Sequence, residues 1–310
     1  MSGSSDYEST VVAHYNRKEV QEEIAKFSKG RWVALHCEAH DTKERPYLLR
    51  YQRAPGKGKV PLTINNPEDV LTLLRRFEKL RPRTFYASVN VYKELAYPEH
   101  VRSMDNIVFC LPTWDIDNVI EKWEATIAAA KEIVNFLSSE GVSESVFLNW
   151  SGNGAHVHIH HRAFSTELLR KINPLDAAYA VVEYVIGKLR PRYVEIAEKH
   201  EARKLSIENE MDLQRVFTCP LSLHRSLNLA AVCFSHNMIS EFTPEWASVE
   251  RYRHWNKWDT FEIGEADHLA EKAYQVVGAY PLRKLPKPPR TKRKSTAEMI
   301  MKWLKTETVR

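Results

Sequence analysis

The sequence has no long apolar run. None of its segments approaches the ~18 consecutive apolar residues that a membrane-spanning helix requires. Its first residues, MSGSSDYEST, lack the apolar segment of a signal peptide. These absences predict an intracellular, cytoplasmic protein that makes no contact with a membrane.

Cysteines are few, and none of them forms a Cys-x-x-Cys pair. The four cysteines are Cys37, Cys110, Cys219 and Cys233. Scattered cysteines are typical of reduced thiols in an intracellular protein. His36, Cys37 and His40 form the one local cluster, but so short a segment does not supply four zinc ligands without distant help. We therefore predict no structural zinc.

Acidic residues are absent from the segment Arg283 to Lys294, which contains seven basic residues. Such a run suits contact with a polyanion, although a proline-interrupted basic run is equally typical of a solvated linker. The overall composition, 43% hydrophobic and 27% charged over 310 residues, is that of a globular protein with a sizeable core. The predicted parts are a compact domain over 1–280, a basic linker over 281–294 and a C-terminal amphipathic helix over 295–310.

Hydrophobic periodicity predicts a series of helices and strands. The predicted helices cover approximately residues 17–27, 66–80, 119–139, 174–200 and 265–277. The fourth of them is expected to be interrupted at Pro191. The predicted strands lie near residues 32–35, 46–51, 84–92, 106–111 and 204–208. One further helical turn is predicted over residues 212–215.

A β-hairpin is predicted in the segment from Val146 to His161, VFLNWSGNGAHVHIHH, because glycine and asparagine tolerate the positive φ of a tight turn. Small turn residues also allow backbone amides to approach an anion closely. Period-two alternation places several imidazoles on one strand face. The residues concerned are Ser151, Gly152, Asn153 and Gly154 in the turn and His156, His158 and His160 after it. They favour a polyphosphate or metal site, and a hairpin with partly exposed histidines is the alternative.

Two carboxylates lie close together in Asp115-Ile116-Asp117. On a strand, residues i and i+2 face the same side, so both carboxylates project together. Two such charges repel each other unless a cation neutralises them, and carboxylate oxygens are the ligands that Mg²⁺ and Mn²⁺ prefer. A turn or a helix N-cap is the alternative interpretation.

Further polar residues follow later in the chain. Glu208 ends a predicted strand, and Asp212 precedes the predicted helical turn. Ser222, His224 and Arg225 lie together in the segment CPLSLHR. Their side chains are suited to holding phosphate oxygens.

Taken together, and in this order, the motifs resemble those of the archaeo-eukaryotic primase superfamily. This superfamily includes small primase subunits, primase-polymerases and the polymerase domains of end-joining ligases. The segment YASVNVY from Tyr86 resembles the strand before the family's first acidic motif, and Asp115-Ile116-Asp117 resembles that motif. SGNGAHVH from Ser151 matches the second motif. PLSLH from Pro220 is similar to the family's Pro-Gly-Ser-Leu-His segment, with Leu221 in place of the usual glycine.

The resemblance implies a mixed α/β catalytic domain over residues 1–280, with an RRM-like sheet beside an N-terminal α/β module. The implied activity is template-directed nucleotidyl transfer, which joins NTPs or dNTPs on a DNA template to an RNA or DNA primer. Two Mg²⁺ or Mn²⁺ ions would be held by Asp115, Asp117 and Glu208. The incoming nucleotide would be held by Ser151, Gly152, Asn153, Gly154, His156, His158, Ser222, His224 and Arg225.

Several alternatives remain open. Asp212 is the alternative third metal ligand, since an alignment without a gap selects it in place of Glu208. The function alternatives are an end-joining repair polymerase, a metal-dependent nuclease or phosphohydrolase, and a non-catalytic nucleic-acid-binding relative. A second primase subunit or a replication or repair partner is expected to bind through the C-terminal helix. The resemblance favours a prokaryotic, archaeal or plasmid-encoded source.

Overall fold

The computed structural model of the chain describes residues 7–40, 47–56 and 58–281. The elements given below belong to one compact unit, Met1–Tyr280. The predicted basic linker, apart from Pro281, and the predicted C-terminal helix lie outside the described residues, so the division into three parts stays a prediction. Along the described part of the chain, no helix is long and apolar enough to cross a membrane.

Helices and strands alternate along the chain. A π-helical segment, Tyr7–Val12, leads into a helical turn, Ala13–Tyr15. The longer helices are α1 (Lys18–Ser28), α2 (Glu68–Arg76), α3 (Trp123–Ser139), α4 (Thr166–Lys171), α5 (Pro174–Lys199) and α6 (Asp267–Val277). The strands are β1 (Arg31–Cys37), β2 (Leu48–Leu49), β3 (Tyr51–Ala54), β4 (Gly58–Pro61), β5 (Pro82–Tyr92), β6 (Ile107–Cys110), β7 (Thr113–Asp117), β8 (Val146–Trp150), β9 (Ala155–Ile159), β10 (Ser206–Glu208), β11 (Val216–Thr218) and β12 (Val232–Ser235). Short 3-10 turns lie at Glu38–His40, Glu78–Leu80, His100–Arg102, Met104–Asn106, Ile120–Lys122, His161–Ala163, His236–Met238 and Pro244–Ala247.

The N-terminal sheet is five-stranded, with the order β11-β5-β1-β2 and with β6 also paired to β5. All of its strand pairs are antiparallel. Every residue of β1 is buried, which explains its continuous apolar run Trp32-Val33-Ala34-Leu35. β3 and β4 form a separate two-stranded hairpin.

The central sheet is also five-stranded and antiparallel, with the order β10-β7-β9-β8-β12. One face is covered by helices, since the indole Nε1 of Trp114 donates to the backbone oxygen of Val182 in α5 at 3.2 Å. The other face meets β11 of the N-terminal sheet. There the amide of Asn149 donates to the backbone oxygen of Thr218 at 3.1 Å. Period-two alternation therefore sends apolar side chains toward the helices and polar ones toward the junction of the sheets.

The predicted mixed α/β fold is confirmed, and the hairpin predicted after Val146 is present as β8 and β9. Two local predictions were wrong. Helix α5 is continuous through Pro191, and Leu189 and Tyr193 are buried on either side of it. Tertiary packing of such side chains opposes the ~3 kcal/mol cost of an interior proline. Residues 212–215 form a bend and no helical turn.

Candidate active site

Three carboxylates share one face at the β7–β10 edge of the central sheet. Strand pairing places Glu208 directly opposite Asp115, and Ser206 opposite Asp117. Residues that are directly opposite in an antiparallel pair face the same side, as do residues i and i+2. Asp115, Asp117 and Glu208 therefore project to the same face, Asp115 buried and the other two exposed.

Asp115 is neutralised by two neighbours in this conformation. Its Oδ2 accepts a hydrogen bond from Nη2 of Arg215 at 2.7 Å, and Nε2 of His156 lies 3.4 Å from its Oδ1. Arg215 also pairs with Glu210 and lies over the ring of Phe217, with 5.0 Å between Cζ and the ring centroid. The guanidinium thus occupies one of the two oxygens that Asp115 offers to a cation.

The two aspartates have opposite electrostatic environments. Burial tends to raise the pKa of Asp115, but the interactions with His156 and the charge of Arg215 hold that pKa below its ordinary value. Partial desolvation raises the pKa of Asp117, although its side chain reaches solvent, and the negative charges of Asp115 and Glu208 raise this pKa further. The carboxylates are therefore close enough to repel one another, and Asp117 carries the uncompensated part of that repulsion.

The glycine turn between β8 and β9 packs against both the carboxylate strand and His224. A Cβ atom built on Gly154 would lie 2.6 Å from the backbone oxygen of Ile116. One built on Gly152, whose φ is +131°, would lie 2.7 Å from Cδ2 of His224. Ser151 closes the turn, since its backbone N–H donates to the oxygen of Gly154 at 3.0 Å. Asn153 is exposed at the tip.

The histidines after the turn are buried, so partly exposed histidines do not describe this hairpin. His156 is 6% exposed, and its Nδ1 has no hydrogen-bond partner among the described residues. His158 is 1% exposed; its Nδ1 lies 2.8 Å from Oγ1 of Thr113, and its ring stacks on Phe147. Burial, with the charges of His156 and Arg31, holds the pKa of His158 well below its ordinary value. His160 stacks on Phe261, beyond the end of β9.

The segment after β11 divides into an internal and an exposed part. Ser222 is fully buried, and its Oγ accepts the backbone N–H of Phe85 at 2.7 Å. Nδ1 of His224 accepts the backbone N–H groups of Ser226 and Leu227 at 3.2 and 3.0 Å, which leaves Nε2 as the N–H donor. Burial, with the charge of Arg225 and other cations, lowers the pKa of His224 to about 4, so the ring is neutral at pH 7.

Leu221 adopts a left-handed backbone with φ +59°. A side chain in this region is strained. Its backbone N–H donates to Ala231 at 2.6 Å, and its side chain is fully buried. Packing therefore holds the chain in a conformation that glycine would adopt without strain.

Asp212 lines a pocket beside the three carboxylates. Its Oδ1 accepts the backbone N–H of Gln214 at 2.6 Å, which stabilises the bend that replaces the predicted helical turn. The carboxylates whose charges act on Asp117 are Asp115 and Glu208.

This pocket, of about 470 Å³, is basic and adjoins Asp115 through Arg215. Arg50, Arg215 and Arg225 line it together with His36. Of these, the sequence predicted a nucleotide-binding role for Arg225 alone. Arg50 and Arg215 lie on segments that carry no phosphate-binding motif, and they are brought together where Nη1 of Arg50 donates to the backbone oxygen of Gln214 at 3.1 Å.

The three carboxylates are chemically suited to a divalent metal ion, but their side chains are not arranged to coordinate one in this conformation. Carboxylate oxygens from Asp115, Asp117 and Glu208 are the ligands that Mg²⁺ and Mn²⁺ prefer. In the described residues, however, no three His, Cys, Asp or Glu side chains are arranged so that they could hold a metal ion. Arg215 is the physical reason at Asp115, because it occupies Oδ2.

Comparisons with known proteins leave the chain without an assigned family. No model of a protein family matches it, and no curated protein matches it. Among solved structures, the chain is similar to the polymerase domain of Ligase D from Mycobacterium tuberculosis in complex with DNA. The TM-score is 0.49 and the identity 12%, over 88% of this chain and 90% of that chain. At these values the likeness assigns neither a family nor a function.

Proposed function

We propose that the protein is a metal-dependent nucleotidyltransferase of the primase-polymerase type, which joins NTPs or dNTPs on a DNA template. The single observation that carries the proposal is the convergence of three separate motifs. The carboxylate pair on β7, the glycine turn before β9 and His224 after β11 lie against one another. Phosphoryl transfer depends on positioning of the reactants and neutralisation of their charge. These motifs supply groups suited to both tasks.

The glycine turn and His224 are assigned to the triphosphate. The turn carries backbone N–H groups at Gly152 and Asn153, and small turn residues allow backbone amides to approach an anion closely. Neutral His224 has its Nε2–H available as a donor beside the turn, because its Nδ1 is already an acceptor. Arg225 and Arg50 supply positive charge in the adjoining pocket. Together these groups neutralise and orient a polyphosphate.

His158 and Ser222 are assigned positioning roles on account of their burial. His158 holds the ring of His156 at 5.6 Å between centroids, and both rings contact Phe217. Ser222 ties the His224 segment to β5. Each therefore acts through a neighbouring residue and makes no direct contact with the nucleotide.

Metal ions would be held by Asp115, Asp117 and Glu208. A divalent cation bound there supplies Lewis-acid stabilisation of the attacking and leaving oxygens. Arg215 must leave Oδ2 of Asp115 for that oxygen to become a ligand. It remains paired with Glu210 and over the face of Phe217, so its charge stays beside the basic pocket.

The test is incubation of the protein with primed and unprimed DNA templates, NTPs or dNTPs, and Mn²⁺ or Mg²⁺. Template-dependent extension that is absent from Asp117→Asn supports the proposal. The matched control is Asp105→Asn, which removes an exposed aspartate outside the carboxylate cluster, in a 3-10 turn before β6. Shortening of the oligonucleotide or free phosphate release without extension would identify a nuclease or phosphohydrolase instead.

A further inference from the structure

A second basic surface lies at the β3–β4 hairpin and the end of α2, separate from the pocket beside Asp115. The surface surrounds an open pocket of about 690 Å³, lined by the aromatic rings of Tyr51 and Phe77 and by the cations of Arg53, Lys59 and Arg76. The three cations are exposed. This surface, called the hairpin surface below, is not used by the proposed catalytic chemistry.

Its cations are held together although they repel one another. Arg53 and Lys59 are directly opposite across the hairpin, a like-charge pairing that is destabilising on its own. Arg76 joins them, because its Nη2 donates to the backbone oxygen of Arg53 at 3.1 Å. Among the described residues, none of the three forms an ion pair with a carboxylate. An external anion would remove this repulsion.

The charge around the hairpin surface is mainly positive, although Glu99 as well as Arg102 acts electrostatically on Tyr51. No Asp or Glu occurs between residues 47 and 67, and Arg75 and Lys79 add two exposed cations near the end of α2. The acidic residues closest in sequence are Glu44 before the hairpin, Glu68 and Asp69 at the start of α2, and Glu78 after its end. Asp69 accepts the backbone N–H groups that precede the helix, so it does not neutralise the surface.

Partly exposed aromatic rings are interleaved with the cations. Nζ of Lys59 lies 4.2 Å from the ring centroid of Tyr51, and Cζ of Arg76 lies 5.8 Å from that of Phe77. Cations that follow a phosphate backbone, combined with rings that accept unpaired bases, are the means by which proteins bind single strands without sequence preference. A duplex would hide its bases from these rings.

The hairpin surface is joined to the catalytic pocket by consecutive residues. Arg50 lines that pocket, while Tyr51 lines the hairpin surface. Both pack against Trp32, Arg50 at 5.1 Å and Tyr51 at 5.2 Å from its ring centroid. A strand bound at the hairpin surface is therefore close to the pocket that adjoins Asp115.

We propose that the hairpin surface binds single-stranded nucleic acid, through phosphates at Arg53, Lys59 and Arg76 and through bases at Tyr51 and Phe77. The choice of nucleic acid as the polyanion rests on the proposed function, in which that strand is the unpaired template. The binding itself needs neither metal nor nucleotide.

The test is fluorescence anisotropy of a labelled single-stranded oligonucleotide with the full chain, in EDTA, at several salt concentrations. The test variant carries Arg53→Gln, Lys59→Gln and Arg76→Gln. The matched control carries Lys131→Gln, Arg190→Gln and Lys199→Gln, which removes the same charge from exposed positions of α3 and α5. We expect the test variant to lose at least about tenfold in affinity, and its plot of log K against log[salt] to flatten by about two units. The control variant should change little in either quantity.

A single substitution separates loss of binding from loss of folding. Lys59→Glu creates an opposite-charge pair with Arg53 across the hairpin, so the unfolding midpoint should stay the same or rise, while affinity for the oligonucleotide falls. Equal affinities and salt slopes in the two triple variants would overturn the proposal. Displacement of the strand by duplex DNA or polyglutamate as effectively as by unlabelled single strand would overturn it too. Because the assay contains no metal, absence of polymerase activity would count against the proposed function without changing this result.

Discussion

The two aspartates of β7 should differ sharply in what they contribute to stability. Asp115→Asn removes a charged hydrogen bond of 2.7 Å to Arg215 and a longer contact of 3.4 Å to His156. A hydrogen bond to a charged group contributes about 1.5–3 kcal/mol. The interactions with His156 also favour the charged carboxylate. Arg215 keeps Glu210 as a partner, so we expect a loss of about 1.5–3 kcal/mol in the free energy of unfolding.

Asp117→Asn should change the free energy of unfolding in the opposite direction. The pKa of Asp117 is raised in the folded protein, so its charged form is disfavoured by folding at every pH above its folded and unfolded pKa values. Replacing it with neutral asparagine removes that repulsion, and as a surface change its effect should stay within about 0.5 kcal/mol. We expect its unfolding midpoint at pH 7 to equal or slightly exceed that of the wild type.

Thermal unfolding in EDTA measures this difference directly. A loss of about 1.5–3 kcal/mol corresponds to roughly 3–10 °C for a chain of this size, so Asp115→Asn should unfold clearly below both other proteins. Mn²⁺ at about one hundred times its dissociation constant should stabilise the wild type by about 2.7 kcal/mol and neither variant appreciably. Equal losses in EDTA would refute the electrostatic description of the two carboxylates. Stabilisation of either variant by Mn²⁺ to the wild-type extent would refute their role as metal ligands.

Four other substitutions test the remainder of the site. Glu208→Gln should abolish extension with little change in the free energy of unfolding. Asp212→Ala should lower the free energy of unfolding by about 0.5–2 kcal/mol, as loss of a cap does, and should retain extension. The reverse pattern would make Asp212 the metal ligand. His224→Ala should weaken nucleotide binding about ten- to a hundredfold, in line with a charged hydrogen bond of about 1.5–3 kcal/mol, and leave oligonucleotide binding in EDTA unchanged; unaltered nucleotide affinity would exclude the assigned contact. Leu221→Gly should relieve about 1–2 kcal/mol of left-handed strain but lose about 2–5 kcal/mol of buried packing, so urea denaturation should show net destabilisation; a gain in stability would mean that strain outweighs packing there.

Local sequence patterns were sufficient to predict much of the fold. The period-two alternation after Ala155 and the Asn-Gly turn identified the β8–β9 hairpin, because both signals act over a few residues. The Asp-x-Asp spacing likewise predicted two carboxylates on one strand face, and Asp115 and Asp117 lie on β7 as expected. Their identity as metal ligands stays a prediction.

Interactions between distant segments were not predictable in the same way. Arg215 is 100 positions from Asp115 in sequence, yet the two side chains are hydrogen-bonded. No motif marks Arg215, because the contact depends on how the two sheets pack together. The burial of Ser222 and His158 was not predictable from residue type either, and whether they contact phosphate stays a prediction. The helical turn predicted at residues 212–215 failed because the side chain of Asp212 satisfies the backbone N–H of Gln214 in a bend.

The placement of β11 has a consequence for how the chain can be divided and how it folds. This strand pairs with β5 in the N-terminal sheet, where Val216 meets Ser88, although β7 to β10 of the central sheet intervene in sequence. No single cut therefore separates the two sheets, and a fragment that ends before β11 would leave the part of β5 from Tyr86 to Ser88 without its partner on that edge. Contacts of such long sequence separation form slowly, so the surface that carries Asp115 and His224 is expected to be completed late in folding. Two halves of the protein made as separate chains should acquire this surface only after they associate.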